Sequence, residues 1–161
     1  MKIGVVSDTH DNIPRLEQAL KVFADAKVEQ IIHAGDMVSP FLDRCFANIK
    51  VPLLYLVGNN EGEIAWLYKK FGKIGEVRPG PEVRAFGGKK VYVNHIDHCV
   101  DSLAKSGDFD IIIYGHTHKV DVRTVGKTLI LNPGECCGYL SGKSTVAIVD
   151  TEKMSADIIE L

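Results

Sequence analysis

The sequence predicts an α/β protein in which two sheets pack face to face with helices outside. Three observations predict it. Residues 1–71 alternate short β-branched runs with amphipathic segments, the pattern of parallel strands joined by right-handed crossovers. From Val83 onward, apolar runs pair across glycine-containing turns, the pattern of hairpins. Aspartate, asparagine and histidine gather just past the strand ends, where open parallel sheets bind ligands.

Each element has its own signal. Ile3–Val6 is a short apolar strand that stops at Ser7-Asp8-Thr9-His10. Asp11 or Asn12 can cap the following helix, with Pro14 in its first turn. Leu16, Leu20 and Phe23 recur at helical spacing along it. The second strand, about Gln30–His33, ends at Ala34-Gly35-Asp36, and Pro40 starts a second helix through Phe46. Leu53–Val57 is the third strand, ending at Gly58-Asn59-Asn60-Glu61, and a third helix runs from Ile64 to Phe71. Residues 72–82, rich in glycine and proline, read as a loop. Val83–Phe86 and Lys89–Val93 flank Gly87-Gly88 as a hairpin, and the second strand leads into His95 and His98. A short helix over Val100–Lys105 precedes the buried strand Asp110–Ile113, which runs into Tyr114-Gly115-His116-Thr117-His118. Two further hairpins follow, Val120–Val125 with Thr128–Leu131 and Ser144–Val149 with Met154–Ile159. A parallel half is thus followed by an antiparallel half. No linker divides the 161 residues, so one domain is expected over 1–161.

Composition narrows the function classes. Hydrophobic residues make up 45% and charged residues 25%, the balance of a globular chain. Net charge is −2 with lysine and arginine dispersed, which argues against an extended nucleic-acid or membrane footprint. The start, Met1-Lys2-Ile3-Gly4, turns polar too early for a signal peptide, and no apolar run nears the roughly 20 residues of a membrane span. Cys45, Cys99, Cys136 and Cys137 form no Cys-x-x-Cys pair. They are read as reduced thiols, which fits a cytoplasmic location.

The strand ends collect two carboxylates, one amide and four imidazoles: Asp8, His10, Asp36, Asn59, His95, His116 and His118. The last two, at i and i+2, lie on a loop where both rings can turn inward, and Gly115 removes a side chain where the backbone turns closely. Seven donors are too many for one ion and suit two. Without thiolates, the set favours catalytic Mn, Fe, Ni, Mg or Zn over structural zinc. Asp36 is the candidate bridge, because its strand lies between the other two parallel strands in chain order.

Asp8-x-His10, Gly35-Asp36, Gly58-Asn59, a lone His95 and Gly115-His116-Thr117-His118, in this order and each after a strand, resemble the calcineurin-like metallophosphoesterases. Spacing and brevity are similar to the small single-domain archaeal and bacterial phosphodiesterases of that superfamily. The resemblance implies a four-layer α/β/β/α sandwich. It implies that Asp8, His10 and His118 hold one metal, Asn59, His95 and His116 the other, with Asp36 bridging. It implies two divalent ions, Mn2+ first and Ni2+, Fe2+, Zn2+ or Mg2+ as alternatives. A shared hydroxide would attack phosphorus in line, with the Asn59 amide near the developing charge.

Two positions depart from the family pattern. Asn60 stands where most members carry a histidine thought to protonate the leaving group, and an amide cannot act as a general acid. Esters with good leaving groups are therefore expected. His98 is a replacement donor, or else a surface histidine at a helix start. Ile96 follows His95 where the family usually has glycine, so His98 is also the rival ligand. His33 is read as orienting Asp36 or as a buried hydrogen-bonded histidine. Trp66 and Tyr68 are read as roofing the site or as packing residues.

The expected activity is hydrolysis of a small or activated phosphodiester. A phosphomonoesterase or nucleotide pyrophosphatase using the same site is the alternative within enzymes. The other is a non-catalytic scaffold, as in the retromer subunit of this fold. Retention of all seven donors favours catalysis. A homo-oligomer is compatible with the sequence.

Overall fold

The computed structural model describes residues 1–161. Its first sheet has the order β11-β10-β1-β2-β3-β4. β1 (Lys2–Val6), β2 (Gln30–His33), β3 (Leu53–Leu56) and β4 (Glu76–Arg78) run parallel, and β10 (Thr145–Asp150) and β11 (Ser155–Glu160) extend it antiparallel beside β1. The second sheet is β5-β6-β7-β9-β8. Its centre, β6 (Lys89–Val93), β7 (Ile111–Ile113) and β9 (Thr128–Pro133), is parallel, while β5 (Glu82–Phe86) and β8 (Val120–Val125) are antiparallel edges.

The layers follow from side-chain alternation along the strands. Ile3 and Val5 point between the sheets with Ile32, Leu54, Val93, Ile111, Ile113, Leu129 and Leu131. Val6 and Ile31 point outward, against Leu16, Leu20 and Phe23 of α1 (Ile13–Asp25) and Leu67 and Phe71 of α2 (Ile64–Phe71). On the other side, Ile112, Ile130 and Tyr114 pack on Val100 and Ala104 of α3 (Val100–Ser106). The result is the expected four-layer α/β/β/α sandwich.

Asn12 is the residue that caps α1, accepting from the Arg15 amide, with Pro14 in the first turn. Four details differ from the sequence reading. Pro40–Phe46 is a 3-10 helix, opened by Pro40 and capped by the Ser39 side chain on the Phe41 amide. Residues 76–78, expected in a loop, form β4, an edge strand too brief for periodicity to reveal. The second half is not purely antiparallel, because α3 and the β8 excursion are crossovers that return β7 and β9 parallel to β6. Finally, the last hairpin joins the first sheet, so both ends of the chain meet at the β1–β10 pair.

Phe23 is buried in the outer core between α1 and the first sheet. Phe23→Ala should cost about 3–5 kcal/mol of stability through lost burial and a residual cavity, read as a lower midpoint of urea unfolding at an unchanged slope.

Candidate metal centre

The parallel strands of both sheets end at one edge of the sandwich, and the loops there interlock. The Asp8 amide donates to Gly35 O at 3.0 Å, the His10 amide to Asp36 O at 3.1 Å, and the Gly115 amide to His95 O at 3.0 Å. The amides of Cys136 and Cys137 donate to the carbonyls of Ser7 and Asp8. Glu61 joins two loops by accepting from Met37, Val38 and Gly58 amides. Asn132 carries the histidine loop, donating to Gly115 O at 2.7 Å.

This interlock holds five of the seven donor residues in the left-handed region: φ is +53° at Asp8, +42° at His10, +57° at Asp36, +65° at His116 and +59° at His118. Non-glycine residues avoid this region unless their surroundings impose it, and such residues cluster at functional sites. The close approach also explains two glycines. A Cβ on Gly115 would run into the Ser7 hydroxyl and the Asp8 carboxylate, and one on Gly35, itself at φ +105°, would run into the His95 ring.

Two groups of donor atoms result. In the first, Asp8 Oδ1 lies 3.4 Å from His118 Nε2 and 3.9 Å from His10 Nε2. The His10 and His118 rings stack, with centroids 5.1 Å apart. In the second, His95 Nε2 lies 2.9 Å from Asn59 Oδ1 and 3.3 Å from Asp36 Oδ1. Asp36 Oδ2 also reaches within 3.6 Å of His10 Nε2, so Asp36 stands between the groups. The His116 ring packs edge-on to His95 at 5.4 Å, and its amide donates to Asp8 Oδ2.

The donor set fits cations. Asp8 and Asp36 are buried, and Asp8 Oδ1 and His10 Nε2 are buried polar atoms with no hydrogen-bond partner. A carboxylate oxygen and imidazole nitrogens facing one another without partners carry a large desolvation cost that a metal ion offsets. Two imidazoles are also oriented for ligation by their other nitrogen. His95 Nδ1–H donates to Ala34 O at 2.7 Å, leaving Nε2 for the site. His118 Nδ1–H donates to Glu135 Oε2 at 2.7 Å.

Burial pushes the Asp8 carboxyl up from its ordinary range. Burial acts likewise on Asp36, but hydrogen bonds from His95 and from the Asn60 amide outweigh it and hold this carboxyl well below that range. His95 is raised by the same pairing, which outweighs its own desolvation. A proton on His95 Nε2 therefore occupies the place a cation would take.

Asn60 lies where the family's histidine would stand and grips Asp36 twice, backbone N–H to Oδ1 at 2.8 Å and side-chain Nδ2 to Oδ2 at 3.0 Å. His98 is exposed and belongs to neither group of donors. Ile96 is not among the residues of positive φ, so this turn does not need the glycine that the family pattern suggested. His33 makes no hydrogen bond to Asp36. Its Nδ1 accepts from the Gly35 amide and its Nε2–H donates to Thr9 Oγ1 at 2.7 Å. Arg78 and Arg84 are engaged by Glu76 and Glu82. Trp66 and Tyr68 are partly exposed.

Sequence reading missed Glu135. Fully buried, it receives His118 Nδ1–H, the Leu140 and Ser141 amides, and the Ser141 and Cys137 side chains. Burial would raise its carboxyl, but these donors bring it down to about 2. The strand-end rule that picked out the other candidates would also have picked out Glu135, two residues past β9.

Residues 1–154 match the calcineurin-like phosphoesterase superfamily domain, and the chain belongs to that superfamily. Among individual relatives, it is 40% identical over 157 residues to phosphodiesterase MJ0936 of Methanocaldococcus jannaschii, covering 95% of each chain. A solved structure described as a novel archaeal phosphodiesterase superposes with a TM-score of 0.94 at 38% identity, covering all of both chains. Vps29 of Entamoeba histolytica, solved with Zn2+, shares the fold at a TM-score of 0.71 and 17% identity, over 100% of this chain and 98% of that one.

Glu135→Gln should weaken divalent-metal affinity about 10- to 100-fold while leaving the circular dichroism spectrum unchanged, because it removes the charge that orients His118; titration calorimetry reads this. His33 gives a pH prediction for the metal-free protein. Burial lowers this imidazole from 6.5 to about 3. Its stabilising contribution is therefore complete above about 6.5 and is lost as pH falls toward about 3, since only the unfolded chain takes up the proton. Urea unfolding between these limits should show a shallower loss in His33→Gln.

Proposed function

We propose that the chain, as one domain over residues 1–161, is a metal-dependent phosphodiesterase acting on a small or activated diester. Asp8, His10, Asp36, Asn59, His95, His116 and His118 would hold two divalent cations, Mn2+ first. The observation that carries this reading is the pair of donor groups separated by the buried Asp36 carboxylate. The relative from Methanocaldococcus jannaschii, a phosphodiesterase by name, supports the same activity.

When bound, the cations would supply Lewis-acid charge to the phosphoryl oxygens and acidify a water to serve as nucleophile. The chain's own residues set the geometry. Glu135 and Ala34 fix the tautomers of His118 and His95, so the site needs little rearrangement as charge develops. Asn60 holds Asp36 in place instead of donating a proton. The Asn59 amide lies at the mouth of the site, where it can meet a phosphoryl oxygen. With His98 outside the donor groups and Asn60 an amide, neither candidate donor serves the departing oxygen, so leaving-group basicity should control the rate. Dispersed charge fits a small substrate better than an extended nucleic acid. The four free thiols fit a reducing, cytoplasmic setting. Burial pushes both Cys136 and Cys137 up to about 12, which keeps them unreactive there.

With Mn2+, the protein should hydrolyse bis-p-nitrophenyl phosphate faster than p-nitrophenyl phosphate. Chelation should abolish the activity, and Asp36→Asn should lower kcat by about 100-fold or more. Rates across substituted aryl methyl phosphates should fall steeply with leaving-group pKa. A flat dependence would reveal a hidden general acid, and a preference for the monoester would reassign the substrate class.

A further inference from the structure

Between the 3-10 helix and α2 lies a hollow of about 350 Å³ lined by Pro40, Phe41, Glu63, Trp66 and Lys70. Phe41 is 71% exposed and Trp66 50%, an unusual outlay of aromatic surface for a small chain. The hollow shares Phe41 and Lys70 with a neighbouring depression whose wall includes Asp11 and Ser39. Asp11 directly follows His10, and its carboxylate accepts from the Ser39 amide at 2.9 Å. The other wall grows from the Asn59–Asn60 loop, which reaches Trp66 through Glu63. The two loops are tied together by the Gly62 amide on Val38 O at 3.0 Å and by Glu61 on Met37, Val38 and Gly58. A groove built on loops this interlocked keeps a fixed position relative to the donor groups.

We infer that the Phe41–Trp66 hollow binds a planar aromatic ring carried by one ester arm of the substrate while the phosphate lies at the donor groups. This rests on the phosphodiesterase reading and adds its substrate class: a diester with an aryl or nucleoside arm. Two features favour this occupant. The hollow connects through shared Phe41 and Lys70 to a depression walled by Asp11, the residue after His10. Its lining combines apolar ring surface with a few polar groups, Glu63 and the Asp43-held Lys70, that can meet a ring's polar edge.

Trp66 is the only tryptophan, so its fluorescence reports this hollow alone. The Mn2+-loaded protein is titrated with methyl phosphate, phenyl phosphate and thymidine 5′-monophosphate. Each is also tested as an inhibitor of methyl p-nitrophenyl phosphate hydrolysis. A ring-bearing phosphate should quench Trp66 saturably and inhibit about tenfold better than methyl phosphate. Trp66→Ala should erase that preference, and Trp66→Phe should keep most of it. Stronger binding of phenyl phosphate would assign an aryl arm, and stronger binding of the nucleotide a nucleoside arm. Equal inhibition by all three with a silent Trp66, while hydrolysis proceeds, would overturn the inference and leave the phosphodiesterase reading standing. No hydrolysis of any diester would instead defeat that reading. A change in sedimentation rather than a ligand response would mark the hollow as a contact between copies and also overturn the inference.

Discussion

Two buried carboxylates set the terms for this structure. Asp8 and Asp36 follow neighbouring parallel strands of one sheet, at the edge where the second sheet brings His95, His116 and His118 to meet them. Carboxylates removed from water are costly unless countercharge or donors reach them. Asp36 is supplied by Asn60 and His95. Asp8 Oδ1 has no such donor and faces two imidazole nitrogens. The fold thus concentrates unfavourable electrostatics at one point, which a bound cation would relieve.

Holding that point has a backbone cost. Five donor residues sit at positive φ, and cross-loop hydrogen bonds rather than local propensity keep them there. The supporting residues are therefore spread widely: Cys136 and Cys137 through their amides, Asn132 beneath the histidine loop, Glu61 between two loops, Glu135 behind His118. The sandwich supplies the common edge, and these residues convert the edge into a fixed arrangement of donors.

Much of this was legible in the sequence, because its main signals are local. The continuous apolar run Ile111–Ile113 and the helical spacing of Leu16, Leu20 and Phe23 follow from a strand buried on both faces and a helix facing a core. The strand-end rule found every residue now in the two donor groups. What was hidden depends on partners distant in the chain. β4 exists because Val77 completes the outer core beside β3, and nothing within residues 76–78 announces it. The parallel centre of the second sheet depends on which strands pair, not on the Gly87-Gly88 turn. Asn60 read as a lost acid, whereas in the structure its backbone and side chain both bind Asp36, twenty-four residues earlier. Glu135 carries no local signal of its role, which lies in its contact with His118, seventeen residues earlier.

The match over residues 1–154 places the chain in the calcineurin-like phosphoesterase superfamily; the quantity to measure is how many ions the donor residues hold. Elemental analysis of protein equilibrated with Mn2+ and freed of excess metal, set against protein concentration, measures this most directly. The account predicts two ions per chain for the wild type and fewer for Asp36→Ala, whose carboxylate stands between the two groups. A wild-type chain that retains no ion, or an Asp36→Ala chain that still retains two, would contradict it.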